Sequence, residues 1–74
     1  MRIYMQEIVI KDDYIKLGQA LKLAGLVGSG VEAKILIQDG LVTVNGEVEE
    51  RRGRKLVPDD VFSLDGNDVK VVAL

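Results

Sequence analysis

Arginine and lysine fill four of the five positions in Arg51-Arg52-Gly53-Arg54-Lys55. The chemistry open to such a run is recognition of phosphate. A guanidinium offers a planar fork of donors that matches phosphate oxygens, and Gly53 lets the main chain approach a partner closely. The cluster stands out because the 74-residue chain carries a formal net charge of −2. The charge is also unevenly spread. Residues 15–57 hold seven cations against five anions, whereas residues 58–74 hold one cation against four anions. That polarity suits a protein that meets a polyanion through one face. A solvated loop tip, with its cations paired to Glu47, Glu49 and Glu50, is the competing reading, and residue chemistry alone leaves both open.

Other chemistries find little support. Cysteine and histidine are absent, which removes disulfides, thiolate or imidazole metal sites and histidine acid–base catalysis. Asp12-Asp13 and Asp59-Asp60 are acidic pairs of the kind that form solvated turns, so no catalytic residue, metal site or cofactor is expected. Gly28-Ser-Gly30-Val-Glu-Ala33 has the spacing of a dinucleotide-binding fingerprint, but the element before it reads as a helix where that motif needs a strand. Gly25 and Gly30 have phosphate-loop spacing, yet Val31-Glu32 stands where that loop needs a lysine and a hydroxyl. No apolar run reaches the ~18 residues of a membrane span and no signal-peptide pattern opens the chain. A soluble, cytoplasmic protein, without membrane or small-molecule partners and monomeric, is therefore expected.

The elements that must position the cations can be read from periodicity. Residues 2–10 are rich in strand formers. Leu17, Ala20, Leu21 and Ala24 then recur at helical spacing, with Lys16, Gln19 and Lys22 off that stripe, and Gly25 ends the helix. Ser29 and Glu32 have the spacing of a capping box opening a second helix. Ile35 and Leu36 are expected to continue its apolar face, Lys34 and Gln38 to be exposed, and Asp39-Gly40 to end it. Asn45-Gly46 marks a hairpin. A strict two-residue loop would set Val44 opposite Glu47; a bulged loop would set Val42 opposite Val48. The bulged form is preferred because it keeps the valines on one face. Turns at Pro58-Asp59-Asp60 and Asp65-Gly66 separate a strand at Val61–Leu64 from a last strand at Val69–Leu74. The result is a single α+β domain over residues 1–74: two helices on a small, mainly antiparallel β-sheet, with strands at both termini.

Four segments together resemble a known family. They are Leu17-Gly-Gln-Ala-Leu-Lys-Leu-Ala-Gly25, Ser29-Gly-Val-Glu-Ala-Lys34, Ile37-Gln-Asp-Gly40 and Val42-Thr-Val-Asn-Gly46. They resemble the RNA-binding domain first seen in small-subunit ribosomal protein S-four, also called the αL motif, over about residues 15–64. The Arg51–Leu56 run is similar to that of a small, single-domain bacterial branch described as ribosome-associated. The resemblance implies RNA binding by the two-helix unit and the hairpin loop. Transferred by position, it nominates Lys22, Ser29, Gly30, Lys34, Gln38 and Asn45, and from the small branch Arg51, Arg52, Arg54 and Lys55. Many members carry arginine where this chain has Gly30, so a contact there would come from backbone N–H. With only Tyr4, Tyr14 and Phe62 as aromatics, a stacking platform for single strands is disfavoured. Phosphate and shape recognition of structured RNA, with ribosomal RNA as a candidate, is expected. A protein–protein adaptor that keeps the fold without the RNA surface is the alternative.

Overall fold

A computed structural model describes residues 5–74; Arg2, Ile3 and Tyr4 of the expected first strand lie outside the described residues. The chain runs β1 (Gln6–Ile10), β2 (Ile15–Lys16), α1 (Leu17–Leu23), α2 (Gly30–Gln38), β3 (Val42–Val44), β4 (Glu47–Val48), β5 (Lys55–Leu56), β6 (Val61–Leu64) and β7 (Asn67–Ala73). Five strands form one sheet in the order β1-β7-β6-β3-β4, and β2 pairs with β5 in a separate two-stranded ribbon. The neighbours β7-β6-β3-β4 are antiparallel, while β1 lies parallel to β7 with Ile8 beside Val71. The expected α+β architecture is therefore the observed one.

Both helices cover one face of the sheet. Period-two alternation turns Ile8, Ile10, Val42, Val44, Phe62, Leu64, Val69 and Val71 toward them. From α1 come Leu17, Ala20 and Leu21, joined by Ala24 just beyond it, the stripe expected from sequence, all buried. Gly25 takes a φ of +76° at the end of α1, a conformation open to glycine at little cost. The second helix differs in one detail from expectation. Its buried residues are Ala33 and Ile37, with Leu36 packed at the margin, and Ile35 is 52% exposed. At nine residues the helix makes about two and a half turns, and the core reaches only its Ala33 and Ile37 positions, with Leu36 at the margin.

The Asn45-Gly46 hairpin corrects a second expectation. Val44 pairs with Glu47 and Thr43 with Val48, so the loop is the strict two-residue form and Val42 does not face Val48. Asn45 and Gly46 both have positive φ, +52° and +85°, which is the mirror-image turn whose twist matches two strands without a bulge. A bulge would be needed only if Val48 belonged to the core. Instead Val48 is 59% exposed, and its Cγ1 lies 3.8 Å from where a Cβ on Gly40 would stand.

Candidate nucleic-acid interface

Strict hairpin pairing sends Val48 outward, and the next residue, Glu49, turns inward. Its N–H donates to the Val42 carbonyl at 3.0 Å, extending the β3–β4 ladder by one residue. Glu49 is the buried charged residue among the described ones, at 7% exposure. Its Oε2 accepts from Arg51 Nε at 2.9 Å and from the Arg51 backbone N–H at 3.2 Å. Its Oε1 accepts from Arg51 Nη2 at 3.1 Å and from Arg54 Nη1 at 2.7 Å. The hydrogen bonds from Arg51, then the one from Arg54, hold the Glu49 carboxyl down at about 2, against the opposing effect of burial. The solvated-loop reading is thus half right. Glu49 does pair with the arginines, but as a buried clamp that shapes the loop.

The loop is fixed a second time by the helix it crosses. The first residues of α1 have no side-chain cap at Lys16. Their N–H groups go to loop carbonyls instead: Leu17 N–H donates to Arg54 O at 2.8 Å and Gly18 N–H to Arg52 O at 3.1 Å. Position 18 must be glycine for this packing, because a Cβ there would stand 2.8 Å from Arg52 Cγ. The β2–β5 ribbon, with Ile15 beside Leu56 and Lys16 beside Lys55, ties down the far side.

These constraints open a surface groove of about 320 Å³ between α1, the start of α2 and the loop, lined by Lys16, Gly18, Gln19, Lys22, Gly30, Arg52 and Gly53. Of the nominated residues it gathers Lys22, Gly30 and Arg52. Lys16 and Gln19 were missed as site residues, although both had been placed off the apolar stripe of the first helix, and that was the available signal. Arg51, Arg54 and Lys55 line a neighbouring hollow that shares Gly53 with the groove. Lys34 and Gln38 are exposed on α2 and outside the groove; Lys34 lies one turn beyond Gly30 on the same helix face.

The start of α2 is partly occupied by its own carboxylate. Ser29 Oγ accepts from Glu32 N–H at 3.1 Å, while Glu32 Oε1 accepts from Gly28 N–H at 2.6 Å rather than from Ser29. Asn45 is also committed internally. Its Nδ2 donates to Asp60 Oδ1 at 3.0 Å, and its Oδ1 accepts from Val61 N–H at 3.0 Å. The amide thereby fastens the hairpin to β6.

Comparison with known proteins accords with this architecture. The family model described as the S4 domain matches residues 8–72. The chain belongs to the S4 domain family. Among relatives, "Putative RNA-binding protein YbcJ" of Escherichia coli (strain K12) is 43% identical over 63 residues, covering 85% of this chain and 90% of YbcJ. "Probable ribosome maturation protein RlbA" of Bacillus subtilis (strain 168) is 46% identical over 59 residues, covering 80% and 83%. The solution structure of E. coli YbcJ, described as revealing an αL motif involved in RNA binding, superposes with a TM-score of 0.74 at 38% identity, covering 99% of this chain and 94% of YbcJ. The groove of this S4 domain lies where its two helices meet the basic loop.

Proposed function

We propose that this S4-domain protein is a non-enzymatic, cytoplasmic RNA-binding protein that acts as a monomer on structured RNA, ribosomal RNA or its precursors being the favoured class. The observation that carries the reading is the groove in which Lys16, Lys22 and Arg52 converge on a loop held by main-chain and buried carboxylate bonds. A loop whose main chain is fixed in advance loses little backbone freedom on binding, which favours recognition of a folded backbone over loose attraction. The names of YbcJ and RlbA support RNA and the ribosome as the direction to look.

Within this proposal Arg52 and Lys22 contact phosphate directly, Gly30 offers backbone N–H, and Ser29 offers its hydroxyl. Lys34 and Gln38 extend the surface along α2. Lys55 and the free edge of Arg51 serve the neighbouring hollow. Asn45 and Arg54 act mainly by holding the hairpin and the loop in place. The test is titration of labelled ribosomal RNA fragments with the wild-type protein and with an Lys22/Lys34/Arg52 triple alanine variant, across a salt series. Wild-type affinity should fall steeply with salt, and the variant should bind weakly with a shallower slope. Full-strength binding by a folded triple variant is incompatible with this site.

A further inference from the structure

The ribbon of β2 and β5 has an inner and an outer face. Ile15 and Leu56 point into the core. The outer face therefore carries Tyr14, Lys16 and Lys55, because residues two apart on a strand share a side. Lys16 and Lys55 are direct cross-strand partners, and both are exposed. Like charges in that position are unfavourable for the ribbon itself. Among the described residues neither has a carboxylate within 4.0 Å; the ion pairs go to Glu49 and to Asp59. Lys55 instead rests its ammonium over the Tyr14 ring, 4.8 Å from the centroid. The isolated fold does not need two unpaired lysines facing each other beside an exposed ring, whereas a strand of phosphates does.

Tyr14 also borders open space that shares two walls with the groove described above. One hollow is lined by Lys11, Asp12, Asp13, Tyr14, Lys16 and Gln19, and Lys16 and Gln19 are shared with the groove that holds Lys22 and Arg52. A second hollow, against the same ring, has the apolar walls Val9, Ile15 and Leu23. Phosphate is repelled by Asp12 and Asp13, so a nucleic-acid strand can run along the lysines and place only a base beside the carboxylates. Their oxygens accept hydrogen bonds from exocyclic amino groups.

We propose that Tyr14 is the seat for one unpaired nucleobase of the bound RNA, with Lys16 and Lys55 holding the flanking phosphates. The inference rests on the RNA-binding reading above and adds to it: the protein recognises a duplex interrupted by a bulge or loop. One ring is too little for a run of single-stranded bases, but it suffices for one. An exposed cation–π contact is weaker than base–aromatic stacking, so the base displaces the Lys55 ammonium, which then reaches phosphate.

The experiment uses two RNA hairpins, identical except that one carries a single bulged 2-aminopurine. Binding is measured over a salt series for wild type, Tyr14→Phe and Tyr14→Leu, each checked for folding by circular dichroism. Wild type and Tyr14→Phe should prefer the bulged hairpin and quench its fluorescence on binding. Tyr14→Leu should lose about tenfold in affinity for the bulged hairpin only, with an unchanged salt slope and no quenching. Equal losses on both hairpins, or quenching that survives in Tyr14→Leu, overturns the stacking site while leaving RNA binding intact. Failure of wild type to bind either hairpin at low salt removes the RNA-binding reading and this inference together.

Discussion

Glu49→Gln isolates the clamp under the basic loop. The substitution keeps the shape of the side chain but replaces a carboxylate, which accepts four hydrogen bonds from Arg51 and Arg54, by an amide with a donor pointing at one of them. The carboxyl is depressed from 4.5 to about 2. At about 1.4 kcal/mol per pKa unit, that sets a ceiling of about 3 kcal/mol for its linkage to stability at neutral pH. The Arg51 arm is 74% exposed and screened by water and salt, so the expected loss in Glu49→Gln at pH 7 is about 1–2 kcal/mol. The sign follows from the lowered value. The stabilisation is fully present above 4.5, declines as pH falls below it, and is gone below about 2. Urea denaturation of wild type and variant at intervals from pH 7 to pH 2 should therefore show two curves that converge toward the acid end. A constant gap down to pH 2, or no gap at pH 7, refutes the clamp. The same variant should bind RNA more weakly although it has lost a negative charge; tighter binding would mean that the arginines matter only as charge.

Arg52→Ala should reduce the salt-dependence slope of RNA binding by about one and leave the unfolding midpoint unchanged, as read by anisotropy titration and thermal melting. Arg54→Ala should lower affinity and also the melting midpoint, because it leaves buried Glu49 with Arg51 alone. Gly18→Ala should weaken RNA binding several-fold and also lower the melting midpoint, because the new Cβ forces aside Arg52, whose carbonyl caps the Gly18 N–H. Val48→Thr should cost less than about 0.5 kcal/mol in chemical denaturation, whereas Val44→Thr, at 3% exposure, should cost more than about 1 kcal/mol.

How far the chain could be read before its structure was known depended on whether a residue's role is local. The α1 stripe, the Gly25 stop, the Ser29 cap and the turns at Asn45 and Asp65 were legible because each follows from spacing within a few residues. The hairpin register was not, since it turns on which side of β4 meets the core, and that is set by β3 and α2. The error propagated by parity. A bulge with Val48 inside puts Glu49 outside, which hides the clamp, and with it the reason for the arginine order. The loop's capping of α1 was equally invisible, because carbonyls of Arg52 and Arg54 serve a helix that begins more than thirty residues earlier. Lys16 and Gln19 showed as exposed positions, but only the β2–β5 ribbon gives them Arg52 and Tyr14 as neighbours.

The parallel pairing of β1 with β7 has a consequence for how the molecule assembles. Gln6 sits beside Val69 and Ile10 beside Ala73, and Leu74 N–H reaches the Ile10 carbonyl at 2.9 Å. The first strand of the domain thus finds its place only after every other element of the domain has been made. Closing so long a loop is the contact with the largest entropic cost in the fold, and it can form only late in folding. Until then the outer edge of β7, on the side away from β6, is open, and Ile8 and Ile10 have no place to be buried. On the ribosome, the helices, the hairpin and the arginine loop emerge before β7 does. The basic surface can take shape while the protein is still tethered and its sheet is two strands short of complete, because β1 has no partner other than β7.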